Sequence, residues 1–137
     1  MPLPSPRPVR AADKIRVLLV DDHKILREAL GSLLNSQPDL AVAGEANDGR
    51  EAIAQARQLK PDVVVMDINM PVLNGIEATR VVTGELPSVR VIGLSMAPDL
   101  GATILGAGAA SYLARSAAAE QLIAAIRKVA RPQRATR

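Results

Sequence analysis

"DVVVMDI", residues 62–68, is the stretch on which the fold turns. Four successive apolar residues, three of them valine, suit a strand, and the lack of polar alternation means that both of its faces are covered. Such a strand belongs at the centre of a parallel sheet with helices on either side. Its carboxylate is the telling feature. Asp67 follows "VVVM" directly, where an unpaired buried charge is costly.

The pattern on both sides of this run alternates between two periods. "IRVLLV" (15–20) is a second β-rich run, and "KILREALGSLLN" (24–35) places Leu26, Ala29, Leu30, Leu33 and Leu34 on one helical face. "LAVAGEA" (40–46) and "GREAIAQARQL" (49–59) repeat the pair, with Asp48 as N-cap and Pro61 as stop signal. Downstream, "NMPVLNG" leads into the helical "IEATRVVTG", and "VRVIGLS" (89–95) reads as a fourth strand. "DLGATILGAG" (99–108) is a short glycine-rich helix, "ASYLA" (110–114) a fifth strand, and "AAAEQLIAAIRKVA" (117–130) a last helix capped by Ser116. Five strand and helix pairs in strict alternation predict an α/β, doubly wound five-stranded parallel sheet with helices on both faces. In that architecture a ligand site lies beyond the carboxyl ends of the strands.

Composition agrees and excludes several classes. The chain has 137 residues, 48% of them apolar, with no Trp, Phe or Cys and one Tyr. The length suits one domain, and without Cys there is no disulfide framework or thiolate metal site. No apolar run approaches the roughly 18 residues of a membrane span, and the N-terminus lacks a secretory core, so a cytoplasmic protein without membrane association is expected. The net charge of +3 is uneven: between Asp13 and Ile126 there are 10 Lys/Arg against 14 Asp/Glu, while the ends are basic. The expected organisation is a flexible proline-rich leader at 1–12, one domain at 13–130 and a flexible basic tail at 131–137. No recognition helix is left over, so direct nucleic-acid binding by this chain is not expected.

The strand ends carry the chemistry. Strand one ends in Asp21 and Asp22, strand three in Asp67, strand four in Ser95 and strand five in Arg115. Taken singly, Asp22 suits a helix cap, Ser95 a turn and Arg115 a solvated helix start. Together they bring three carboxylates, a hydroxyl and a cation to one sheet edge. Crowded carboxylates repel, and a hard divalent cation such as Mg²⁺ relieves that strain. Beside it, Asp67 could attack phosphorus as a carboxylate nucleophile, with Ser95 and the cation on the remaining phosphoryl oxygens.

These segments resemble the receiver domain of bacterial two-component response regulators. "VLLVDDHKILREAL", "DVVVMDINMPVLNGIEATR", "VIGLS" and "GAGAASYLARSA" carry the likeness over residues 14–130, most closely to the CheY-like receivers of the NarL/LuxR-type subfamily. The resemblance implies a flavodoxin-like (βα)5 fold with strand order 2-1-3-4-5 and a signalling module, not an enzyme. It implies Asp67 as phosphoacceptor, Mg²⁺ held by Asp21, Asp22, Asp67 and the backbone carbonyl of Asn69, Ser95 as switch hydroxyl and Tyr112 as switch aromatic. It also implies a sensor histidine kinase or phosphotransfer protein as donor, and an output domain or partner protein reached through the helix 4, strand 5, helix 5 face. A homodimer is left open. His23 is read as a loop residue, neither phosphodonor nor metal ligand.

Three departures stand out. Arg115 occupies the place of a phosphate-sensing lysine, keeping charge without keeping shape. From this, Arg115→Lys is expected to alter switching more than Mg²⁺ affinity. The segment from Ser95 to Arg115 is about two residues shorter than the subfamily pattern, and its glycines predict a short, weak fourth helix. After Ala130 only "RPQRATR" remains, so the expectation is a stand-alone receiver or a piece of a longer regulator or hybrid kinase. Two other readings stay open: a pseudo-receiver acting as a constitutive interaction module, and an aspartate-based phosphatase. The phosphatase is disfavoured because Asn69 stands where such enzymes want a second acid.

Overall fold

Neighbouring residues of a strand face opposite sides of its sheet, and in this chain both sides are apolar. The computed structural model describes residues 13–69, 74–96, 100–117 and 119–135; the leader at 1–12 lies outside them. The order is β1 (Ile15–Val20), α1 (Lys24–Asn35), β2 (Leu40–Ala46), α2 (Gly49–Leu59), β3 (Val63–Asp67), α3 (Gly75–Glu85), β4 (Arg90–Ser95), α4 (Gly101–Gly106), β5 (Ser111–Ala114) and α5 (Ala119–Ala135). The strands form one parallel sheet in the order β2-β1-β3-β4-β5, as expected, with β3 at its centre.

Strand parity sorts the core into two layers. Leu18, Val20, Val64, Met66 and Val91 pack with Ala52 and Ala56 of α2, Ala78 and Val82 of α3, and Ile104 of α4. Val17, Leu19, Val63, Val65, Ile92 and Leu94 pack with Leu34 of α1 and with Leu122, Ile123 and Ile126 of α5. Helices on both faces are the reason the strands read as unbroken apolar runs.

One irregularity interrupts the register. Val17 of β1 pairs with Val42 of β2, but Leu18 pairs with Gly44, so Ala43 is an extra residue on β2. Beyond it, Glu45 lies opposite Leu19 and meets Arg27 of α1, whose Nε donates to Glu45 Oε1 at 2.7 Å.

Local chemistry explains the helix ends. Asp48 caps α2 as expected, accepting from the Glu51 amide at 2.8 Å, and α2 stops at Lys60, which is left-handed (φ 47°) just before Pro61. Asn74 caps α3 the same way. Gly75 begins α3 against the end of β3, where a Cβ would overlap the Asp67 carbonyl and Ile68 Cα; only glycine admits that approach.

Three details differ from the sequence reading. On α1 the buried stripe is Gly31 and Leu34, with Leu30 partly buried, while Leu26, Ala29 and Leu33 are exposed. Arg27 lies on the same side as Leu30 and Leu34 and donates to both Glu45 and the Asp21 carbonyl. The N-cap of α1 is His23 and not Asp22, and its side chain makes no cap bond. Ser116 is not the cap of α5, which begins at Ala119 and continues past Ala130 to Ala135. The sequence reading ended this helix at Ala130 because the apolar period stops there, and an apolar period marks a buried stripe and not the end of a helix.

Candidate functional site

Register carries the acidic residues to one edge. Val20 pairs with Met66, so the next residues, Asp21 and Asp67, emerge side by side. Asp67 pairs with Leu94 and Ser95 with Ala114, which sets Ser95 and Arg115 just beyond. The Arg115 amide donates to the Ser95 carbonyl at 2.8 Å, tying the ends of β4 and β5 together.

Asp67 is fully buried. Its Oδ1 accepts from the Asn69 amide at 3.1 Å, while Oδ2 has no hydrogen-bond partner among the described residues. Burial pushes the Asp67 carboxyl up to about 6, against the lowering pull of the Asn69 amide and the Arg115 guanidinium, with Asp21 and Asp22 adding repulsion. Asp21 is also buried, and its Oδ1 accepts from the His23 amide at 2.8 Å. Asp22 lies nearer the surface.

Arg115 reaches into this cluster. Its Nη2 donates to Asp21 Oδ1 and Oδ2, both at 3.1 Å, and its Nη1 lies 3.4 Å from Asp67 Oδ2, an ion pair outside hydrogen-bonding geometry. The side chain is only 11% exposed, so this is not a solvated helix start.

His23 is the residue that sequence reasoning undervalued. Its Nδ1 lies 2.7 Å from Arg115 Nη2, 3.0 Å from Asp21 Oδ1 and 3.1 Å from Asp22 Oδ1. One ring nitrogen cannot accept from the guanidinium and donate to a carboxylate at once, so the tautomer chooses between them. The adjacent acids in "DDH" were the available signal, but whether the ring turns inward is a matter of rotamer.

Ser95 is buried and Tyr112 is 38% exposed, its ring lying over Gly101 at the start of α4. Asn69 follows Asp67 at the mouth of the site. Asp21, Asp22, Asp67, Ser95 and Arg115 thus lie at one edge, whereas Tyr112 sits within β5 opposite Gly93. Ligand atoms of Asp21, Asp22, His23 and Asp67 lie within 4.8 Å of one another. With three carboxylates and a buried, unpartnered Asp67 Oδ2, the donor set fits a hard divalent cation. Beside the cluster lies an open groove of about 770 Å³ walled by Ile25, Leu26, Ala29, Ser95, Met96 and Ser116. Among the described residues no helix is long and apolar enough to cross a membrane.

Comparison with known proteins agrees with the geometry. The chain is 42% identical over 117 residues to the transcriptional regulatory protein LnrK of Bacillus subtilis (strain 168), covering 84% of this chain and 53% of that protein. It is 39% identical over 122 residues to the response regulator GacA of Pseudomonas viridiflava, covering 88% and 57%. The chain therefore spans a little over half the length of these curated relatives. Among solved structures, a LuxR-family two-component response regulator from Aurantimonas sp. SI85-9A1 superposes with a TM-score of 0.82 at 35% identity, covering 87% of this chain and 86% of that one. The signal receiver domain of the putative response regulator NarL from Mycobacterium tuberculosis gives 0.81 at 30% identity, covering 87% and 98%. The family model of the response regulator receiver domain matches residues 17–127, and with the fold, the acidic edge and these relatives it establishes that the chain belongs to the response regulator receiver family.

Proposed function

We propose that the chain accepts a phosphoryl group on Asp67 from a phosphohistidine donor and passes the signal on by protein contact. The observation that carries this reading is the Asp67 carboxylate itself: fully buried at the end of the central strand, with one oxygen unpartnered and two further carboxylates beside it. In the step, an Asp67 oxygen forms a bond to phosphorus as the bond from phosphorus to the donor nitrogen breaks, and that nitrogen keeps the electron pair and takes a proton. Asp21, Asp22, Asp67 and the Asn69 carbonyl would hold Mg²⁺, which supplies positive charge toward the phosphoryl oxygens. The Asn69 amide holds Asp67 Oδ1 in place, and burial excludes competing water. Ser95 and Arg115 would partner the other phosphoryl oxygens, and Tyr112 would be the aromatic that follows Ser95.

The partners of this reading are a sensor histidine kinase or phosphotransfer protein and an output domain or protein, in a cytoplasmic two-component system. The relatives named as transcriptional regulators support an output at a promoter, exerted by other residues than these. Incubation with Mg²⁺ and acetyl phosphate tests the reading. An acid-stable, hydroxylamine-labile adduct is expected on the native chain and not on Asp67→Asn; its absence, repeated with a cognate kinase, refutes it.

A second reading has one observation in its favour: Arg115 already faces Asp21 and Asp67 with positive charge. A pseudo-receiver built on that pairing would bind its partner equally with and without beryllofluoride.

A further inference from the structure

We propose that the Arg115 guanidinium is a built-in cation which occupies the acidic pocket and leaves it when a divalent ion enters, so that metal binding and guanidinium release are one event. This rests on the phosphoacceptor reading of the same pocket and adds a regulation to it.

Arg115 does more than approach the phosphoacceptor. One arm of its fork lies 3.1 Å from both oxygens of Asp21 and the other 3.4 Å from Asp67 Oδ2. Two of the three carboxylates that would ligate a metal therefore already face a positive charge. A planar, forked guanidinium can span two carboxylates in this way, whereas a lysine ammonium is a single point charge. Mg²⁺ binds oxygen at about 2.1 Å in a demanding octahedral shell. An ion drawing on the buried Asp21 and Asp67 would lie beside the guanidinium, where like charges repel. The two cations exclude each other, and exclusion is reciprocal: whatever Arg115 subtracts from metal affinity, the metal subtracts from the Arg115 contacts.

The pairing is built to be reversible. Both oxygens of Asp21 share Nη2 as donor, and His23 Nδ1, 2.7 Å away, adds a third claim on it in the tautomer that leaves this nitrogen unprotonated. Release also has room, because Arg115 borders the groove of about 770 Å³ shared with Ser95, Met96 and Ser116. The Arg115 amide can stay on the Ser95 carbonyl while only the side chain swings out. Metal entry would thus place the guanidinium beside Ser95, where an incoming phosphoryl group needs it. Arg115→Lys should then change Mg²⁺ affinity at least as much as switching, the reverse of the order expected from sequence.

Calorimetric titration of Mg²⁺ into the full chain and into the R115K and R115Q variants, with NMR of the arginine Nε–H groups, tests this. R115Q is expected to bind Mg²⁺ about tenfold or more tightly than the native chain, with R115K between them. In the native chain the Arg115 Nε–H resonance should move with the same midpoint as the Asp21 and Asp67 amides. Affinities equal within about twofold, or an Arg115 resonance that stays still while those amides titrate, overturn the proposal. The resonance and R115K decide the matter even if R115Q folds poorly. Phosphorylation by acetyl phosphate at saturating Mg²⁺ separates the two readings. Equal affinities with Asp67 still modified remove only the role of Arg115; no Mg²⁺ binding in any variant and no adduct removes both.

Discussion

Gly101 stands directly against the ring of Tyr112, so closely that a Cβ on the glycine would overlap three ring carbons. Gly101→Ala should force the ring away from α4, at a cost of about 1–3 kcal/mol from overpacking. Tyr112 is the single tyrosine of a chain without tryptophan, so intrinsic fluorescence reports its displacement directly. Tyr112→Ala in the same chain should recover most of the lost stability; strict additivity of the two changes would show that the contact is not the cause.

The pH dependence of stability should carry the signature of Asp67. Its folded pKa of about 6 lies above its ordinary value of 3.8, so the native state holds the proton more tightly than the unfolded chain. The stability that Asp67 contributes is fully present below about pH 4, falls as pH rises to about 6 and is gone above that, a loss of about 1–3 kcal/mol. Asp67→Asn should abolish that segment of the curve and melt higher than the native chain at pH 7 in chelator. Denaturant titrations of both proteins across this range check it, and parallel curves would contradict it.

Helix α4 sends one large side chain into the core. Its six residues contribute Ile104, fully buried, to the core, lying where a side chain on Gly93 of β4 would stand. Ile104→Ala should cost about 2–4 kcal/mol. Amide exchange over 101–106 should accelerate far more than in α2 or α3, because little else holds this turn and a half.

Arg127 of α5 grips Asp39 with both arms, at 2.8 and 2.9 Å, and the Asp39 carbonyl receives the Ile15 amide at the start of β1. Both side chains are about one-third exposed, so Arg127→Ala should cost only about 0.5–1 kcal/mol, less at high salt. Thermal melts at two ionic strengths measure it.

The sheet was legible because buried parallel strands write themselves as unbroken apolar runs. The acidic edge was legible for a related reason: Asp21, Asp67 and Ser95 each end such a run, and a strand end has only one place to deliver its next residue. What escaped depends on rotation and reach. Leu26 and Leu33 fit an apolar helical face as well as Leu30 and Leu34 do, and the docking of the helix on the sheet, which the period does not encode, turns the second pair inward. Arg115 could be placed at the edge from its position, but its grip on Asp21 depends on side-chain length and rotamer. His23 belonged to the site for the same reason and was set aside.

The extra residue at Ala43 has a consequence for the whole second strand. Were the pairing of β1 and β2 to run on without it, Glu45 would fall opposite Val20 and aim its carboxylate into the layer of Ala52 and Val64, while Ala46 would turn away from it. That in-line pairing, with Ala43 opposite Leu18, would exchange the inside and outside of the second half of β2, and Arg27 would have no anion across from it, whereas a chain lacking residue 43 would keep Gly44, Glu45 and Ala46 opposite Leu18, Leu19 and Val20. One residue of slack at the sheet edge lets a single strand serve two layers in turn.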